Sequence, residues 1–409
     1  MLELRLAWRN VWRNPRRTGL TVAATVFAVV LVVMSVGMAA GVHEKMIEDA
    51  VRYASGHLAV TGEGYLENRT LEQFVRFDRE VEQRVRDTRG VKGYAPRVQN
   101  FALLAKGVST SGVAVLGVDP ALENSVSKLS ERVKSGSFVS VGGQRELVIG
   151  HRLAKKLSAE VGDSLLLYSV AYSLETAYEL FEVVGVMRLP DPNLDATLAI
   201  ISLADAQDFF VYGDRVSEIA ILTDDADSAA EVSQDLKAAL RMDSPWEINT
   251  WDELMPELVQ FILLDDAGMY IMVFIVVVVV GFGILNTVLM AVLERRKEFG
   301  VVLALGLRPR AVFRIVYFES VMLAGVGLLI GLVISLPMLL YFEGNPIPLT
   351  GGMNEMMELF GAEPVVTFKL KPLNPIGSTL TILALAVVAA FYPALKASRG
   401  RPVDVLRSL

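Results

Sequence analysis

Apolar residues are distributed along this chain in two regimes. In four stretches they run on without a single charge: Thr18–Val42 over 25 residues, Ala267–Leu293 over 27, Ser320–Phe342 over 23 and Pro372–Leu395 over 24. About 20 apolar residues suffice to cross a hydrocarbon core of about 30 Å, and a buried helix of a soluble protein seldom runs so long without a polar face. Four transmembrane helices are therefore predicted, at 18–42, 268–293, 312–342 and 376–395. Between the first two, the apolar positions shorten into alternating and helix-period groups.

Past the first span, Met46, Ile47, Ala50, Val51 and Ala54 keep a helical period, so that helix is expected to project beyond the bilayer and break at Gly56. "HLAVTG" then reads as a strand and residues 71–87 as an amphipathic helix carrying Leu71, Phe74, Val75, Val81 and Val85. "FALLA" and "GVAVLGV" read as strands closed by an Asp-Pro turn at 119–120, and "ELVIG" as a strand entering a helix at "HRLAKKLSA". "GDSLLLYSV" and "ELFEVVGVM" look like paired strands, "LAIISL" and "EIAILT" like two more, with helices at "LADAQDFF" and 227–241. Helices and strands alternating on this scale indicate a compact α+β module. The fold class is thus a helical membrane protein with an α+β extracytoplasmic domain, residues 43–267, between spans one and two. Its strand-rich segment 119–200 is expected to be an inserted subdomain.

Charge orients this arrangement. Residues 1–17 carry five Arg against one Glu, residues 294–311 five cations against two Glu, and residues 396–409 four against one Asp. Four spans put all three segments on one side, which the positive-inside rule makes the cytoplasm. Both termini are then cytoplasmic, with the loop 343–371 outside. The 43–267 domain holds 22 Lys plus Arg against 37 Asp plus Glu, a net of −15, while the rest of the chain sums to +8. An acidic domain repels phosphates, which argues against nucleic acid. Leu2, Leu6, Trp8 and Trp12 among five arginines suit a helix lying in the cytoplasmic interface, in contact with membrane lipid. The apolar run behind it exceeds the 7–15 residues of a cleavable signal core, so an uncleaved anchor is expected.

Candidate catalytic chemistry is thin. There is no Cys, which leaves out disulfides and thiolate metal sites. No G-x-x-x-x-G-K-[ST] loop occurs, and neither H-E-x-x-H nor G-x-S-x-G is present. The three histidines, His43, His57 and His151, lack metal-ligand spacing and read as surface or packing residues. Asp265 and Asp266 read as markers of the water interface, and Glu319, near a span end, as a structural acid. No metal site and no bound cofactor are expected in this chain.

One segment calls for another explanation. "ERRKEFGVVLALGLRPRAVF", 294–313, sets a helix-period apolar group between two spans. Residues 294–307 are predicted to form about three helical turns, with Phe299, Val302 and Leu303 on one face and Arg295, Arg296 and Glu298 pointing elsewhere. Such a helix can enter a groove on a cytoplasmic protein and pass its motion to both spans.

The run from Leu293 to Ser335 resembles the hallmark of the FtsX/MacB/LolC-LolE superfamily of ABC transporter permeases. Glu294, Arg295, Glu298, Phe299, Gly300, Leu305, Gly306, Phe318 and Glu319 fall in order on its E-R-x-x-E-[IF]-G, L-A-L-G and F-x-E pattern. "YPALKASRGRPVDVLRSL" is similar to the family's closing motif through Pro393, Ala394, Ala397, Pro402, Val403, Leu406 and Arg407. "VIGHRLAKKLSAEVGDSLLL" and "LDATLAIISLADAQ" resemble its extracytoplasmic domain. The resemblance implies a non-catalytic permease of the bacterial inner membrane that works beside a second copy or a paralogue. It implies two separate cytoplasmic ATPase subunits, which hold the ATP and Mg²⁺ and grip a coupling helix. The residues so implied are Arg295, Arg296, Glu298, Phe299, Gly300, Val302, Leu303, Leu305 and Gly306. The family transmits ATP-driven closure to its outer domains, a process called mechanotransmission. Length and layout match the LolC/LolE type best, which passes a lipoprotein to a periplasmic chaperone. MacB-like efflux and FtsX-like control of a cell-wall hydrolase are the alternatives.

The hairpin 165–186 is a second candidate site. Tyr168, Tyr172, Leu174 and Tyr178 cluster about its tip. In lipoprotein-releasing permeases a protruding hairpin at a similar place captures the chaperone; the other expectation is that these tyrosines pack within the domain.

Overall fold

The computed structural model describes residues 2–189, 191–240, 245–349, 351–352, 365–371 and 373–399. Pro402, Val403, Leu406 and Arg407 of the closing motif lie outside the described residues, as do the side chains of Leu2 and Leu6. The chain divides into two compact units, one of residues 1–44, 261–348 and 365–409, the other of 45–260 with 349–364.

Among the described residues, four helices are long and apolar enough to cross a membrane. They lie in Pro15–Ala50, Pro256–Glu294, Pro309–Gly344 and Leu373–Ser398, and a further helix, Leu2–Val11, precedes them. The second-span helix begins at Pro256, well ahead of the uncharged run. The first and third spans approach through glycine. A Cβ added at Gly327 would stand 2.7 Å from the Thr25 Cβ, and one at Gly331 2.7 Å from the Val29 Cβ. Lipid is as apolar as the side chains, so association in a bilayer depends on such close contact. Ile284, Val288 and Val292 of the second span, Val312 and Val316 of the third, and Ala386 and Ala394 of the fourth share one buried cluster.

In the second unit, the continuation of the first-span helix ends in a π turn, Val51–Ser55. The break falls at Gly56, as the periodicity predicts; its φ of 72° and the Ile221 carbonyl, 2.7 Å from where a Cβ would stand, both demand glycine. Among the described residues, one sheet of ten strands follows: β1 (Leu58–Gly62), β2 (Val91–Lys106), β3 (Ser109–Val118), β4 (Val133–Gly136), β5 (Glu146–Gly150), β6 (Ser164–Val170), β7 (Thr176–Met187), β8 (Leu198–Ser202), β9 (Glu218–Thr223) and β10 (Trp246–Thr250). They pair in the order β10-β1-β9-β2-β3-β8-β5-β7-β4, while β6 pairs with both β7 and β2. That last pairing closes β2, β3, β8, β5, β7 and β6 into a six-stranded barrel. Alternate residues fill it: Leu104, Val115, Ile149, Leu167, Phe181 and Ile201 are all buried in one core. On the barrel's exterior, Leu116, Val118, Val148, Met187 and Ile200 form a second core under Leu129, Val139 and Leu189. Segment 119–200 therefore extends one continuous sheet and supplies most of the second core, rather than building a sheet of its own.

Helices pack around this sheet, among them α1 (Arg79–Asp87), α2 (Pro120–Val126), α3 (His151–Leu157), α4 (Pro192–Thr197), α5 (Leu203–Phe209) and α6 (Ala229–Ala239). Two expectations are corrected. The helix assigned to 71–87 begins only at Arg79, because Asp78 accepts a hydrogen bond from the Val81 amide at 2.9 Å and caps it. Val75–Arg76 instead pairs as a strand with Arg215–Val216. The Asp-Pro at 119–120 starts a helix: Asp119 caps α2 through the Ala121 and Leu122 amides, with Pro120 at its first turn. At the centre, Arg97 on β2 lies opposite Glu218 on β9, and its guanidinium also reaches Glu123 on α2.

Candidate functional site

The loop between spans two and three folds as a short helix, Arg296–Ala304, slightly shorter than the three turns expected. Its end is set locally. Gly306 has φ 94°, its amide donates to the Leu303 carbonyl at 3.1 Å, and the Leu307 amide donates to the Val302 carbonyl at 3.2 Å. This double bond pattern needs a left-handed residue just past the helix, which glycine adopts without strain. Pro309, at the first turn of the third-span helix, restarts the chain three residues later.

Charged side chains fasten the root of this helix. Both terminal nitrogens of Arg13 donate to the Glu298 carboxylate, one of them at 3.0 Å. Arg295 donates to Glu298 at 3.2 Å through Nε and to Glu319 at 3.2 Å through Nη1. The hydrogen bond from Arg13, helped by Arg295, holds the Glu298 carboxyl below its ordinary range. The Arg295 guanidinium also lies 5.1 Å from the centre of the Phe299 ring. A cavity of about 270 Å³ opens among Asn10, Arg13, Glu298, Phe299 and Glu319. Glu319 thus serves in the structural network expected of it.

The apolar face is not the one the spacing suggested. Phe299 and Leu303 are partly buried against the cluster of Val288, Val292 and Val316, and Gly300 is buried. Val302 is exposed, with Val301 and, at 83% exposure, Leu305. Helix geometry alone could not reveal which side the bundle would take. Arg296 faces solvent. Arg13 was outside the expected site because its partner lies 285 residues away, and sequence gives no signal for such a pair.

At the other end of the bundle, His43 is a packing residue with partners. Its Nε2 is 2.8 Å from Asp265 and its Nδ1 3.6 Å from Asp266, joining the first and second spans. The two aspartates thus do more than mark an interface.

The hairpin of β6 and β7 divides the four residues expected to act together. Tyr168 and Tyr178 face each other across the strands and are both exposed. Leu174, at the tip with φ 64°, is 81% exposed. Tyr172, 36% exposed, lays its ring against the domain surface: it stands 6.1 Å from Phe74 and 5.7 Å from Tyr212, and the Arg215 guanidinium lies 4.7 Å above it. The Tyr172 amide also donates to the Phe210 carbonyl at 2.8 Å, which ties the hairpin to the domain two residues before the exposed Leu174. Phe101, Leu103, Leu166 and Leu180 join Tyr168 and Tyr178 in one exposed flank of the barrel. A legible signal for it was present: "SLLLYSV" is apolar at both alternations, and only one of them can face the interior. Contiguous apolar surface of this kind marks interaction sites.

Comparison with known proteins agrees with this geometry. The MacB-like periplasmic core domain family matches residues 18–239, and the FtsX-like permease C-terminal family matches residues 270–402. The lipoprotein-releasing system transmembrane protein LolC of Xylella fastidiosa is 24% identical over 383 residues, 89% of this chain and 87% of that one. LolE of Haemophilus influenzae is 26% identical over 344 residues, 80% of each chain. A pyoverdine export ATP-binding/permease protein of Pseudomonas fluorescens is 27% identical over 68% of this chain and 40% of its own length. With one family spanning over half its length and the other its last three spans, the chain belongs to the FtsX-like ABC transporter permeases that carry a MacB-like periplasmic core domain.

Proposed function

We propose that this chain is the permease of a lipoprotein-releasing transporter of the inner membrane, with both termini in the cytoplasm. It pairs with a second copy or a paralogue and with two separate ATPase subunits, which hold ATP and Mg²⁺. The observation that carries the reading is the short helix Arg296–Ala304, with exposed Val301, Val302 and Leu305 at its free side and an ion network at its root. An ATPase that grips Leu305 and its neighbours moves the helix. The Arg13–Glu298–Arg295–Glu319 network passes that displacement to the third span and to the segment before the first. Phe299 and Leu303 hold the helix to the bundle, and the core domain follows as mechanotransmission. The exposed barrel flank around Tyr168, Tyr178 and Leu174 receives the periplasmic chaperone. Support for lipoprotein as cargo comes from the LolC and LolE relatives, which align over most of their length.

One co-purification experiment tests both surfaces. The intact chain, expressed with its ATPase and a soluble lipoprotein chaperone, is pulled down from mild detergent. Leu305→Asp places a charge in an apolar contact and should cost at least ~2 kcal/mol, a thirty-fold loss of ATPase capture, with chaperone capture unchanged. Tyr178→Asp should do the reverse. Retention of both partners by both variants rejects the two assignments. ATP turnover should be absent from the chain alone and appear when the ATPase is added.

A further inference from the structure

Neighbouring strands β5 and β7 run parallel, with Gly150 opposite Met187, so both carboxyl ends emerge at the same rim of the barrel. β5 leads directly into α3, which carries His151, Arg152 and Lys155, and β7 leads into Arg188. These four side chains line one cavity of about 520 Å³, whose remaining wall is Leu189, Pro192, Asp195 and Ala196. Asp195 is 2% exposed and its carboxylate is already committed to backbone. It accepts from the Leu189 amide at 2.9 Å, the His151 amide at 3.2 Å and the Arg152 amide at 2.8 Å. The first amides of α3 are thereby taken, and the cavity's free binding capacity belongs to side chains.

The surrounding surface makes these cations unusual. The domain carries a net charge of −15, and many of its bases are matched: Lys92 with Asp224, Lys106 with Asp163, Arg84 with Glu80, Arg86 with Glu82. Among the described residues, Arg152, Lys155 and Arg188 make no side-chain ion pair. Three exposed cations around one concavity, against a single buried carboxylate, give it a locally positive potential that favours an anion. Two guanidiniums and an ammonium suit an oxyanion with several acceptor oxygens. The cavity lies in the size range of small-molecule sites.

We propose that the cavity between α3 and the end of β7 binds a phosphate-bearing ligand through Arg152, Lys155 and Arg188. The site is distinct from the coupling helix and from the exposed barrel flank, and does not depend on either assignment. The ligand is either a soluble phosphate or the headgroup of an anionic lipid. The purified full-length chain in a non-ionic detergent is titrated calorimetrically with pyrophosphate and, separately, with a short-chain phosphatidic acid below its micelle concentration. Saturable binding is expected, at least ten-fold weaker in the Arg152→Ala/Lys155→Ala/Arg188→Ala variant and weakened by added salt. Pyrophosphate binding assigns phosphate itself; phosphatidic acid binding alone assigns a lipid headgroup. Arg188→Gln, an exposed position beyond the strand end, gives the same reading if the triple variant fails to fold. Binding of neither probe, or binding unchanged by these substitutions, overturns the proposal.

Discussion

Replacing Arg97 by Met should destabilise the periplasmic core domain in a way that depends on pH. Arg97 is without exposed surface, and its guanidinium donates to Glu123 at 3.0 and 2.7 Å and to Glu218 at 3.1 Å. Gln99 adds a bond to Glu218 at 2.9 Å. Burial pushes both carboxyls up. At Glu123 the bidentate guanidinium more than reverses this and holds the group below its ordinary range, while at Glu218 burial prevails and the group stays above it. Removing one member of a buried ion pair leaves uncompensated charge and costs about 3–5 kcal/mol. In the variant neither carboxyl has its cation, so both folded-state values rise above the unfolded value of about 4.3. A group raised in this way contributes stability that is fully present below the unfolded value and is lost as pH climbs through the folded one. The deficit against the unaltered chain is therefore largest at pH 7.5 and shrinks toward pH 5. Hydrogen exchange of the β2 and β9 amides in the full chain reads it locally. The expected loss of protection at pH 7.5 is roughly a hundred- to several-thousand-fold, the equivalent of about 3–5 kcal/mol. Adding Glu123→Gln and Glu218→Gln should restore most of it. A loss below about 1 kcal/mol, or one equal at both pH values, would refute the account of the triad.

Two further outcomes concern the membrane unit. Gly331→Ala places a Cβ against the Val29 Cβ and should lower stability in detergent by about 1–3 kcal/mol, whereas Gly325→Ala, with nothing within 4 Å of the new atom, should be neutral; equal melting of the two variants counts against glycine-mediated packing. Glu298→Arg should leave insertion and melting nearly unchanged, since the pair with Arg13 is exposed, yet reduce ATP-driven output. The exchange Arg13→Glu with Glu298→Arg should recover part of it, and full activity of the single variant removes the network from the coupling path.

The sequence by itself determined whatever depends on local pattern or on summed composition. Uncharged runs specify the four membrane helices because a bilayer leaves backbone no other partner, and alternating residues place the barrel strands. Gly56, Gly306 and Pro309 mark stops and starts because each fixes a backbone angle within its own turn. The short helix between spans two and three, Arg296–Ala304, was legible for the same reason, helped by its motif. Tertiary structure decided what no neighbour in the chain can fix: which side of that helix the bundle takes, so that Phe299 turns inward and Leu305 outward. It joined Arg13 to Glu298 and His43 to Asp265, and it closed β6 onto β2. It also separated Tyr172 from Tyr168 and Tyr178, although spacing presents all three alike. Each of these contacts spans tens to hundreds of residues, and its free energy exists only once burial has removed the alternatives that water offers.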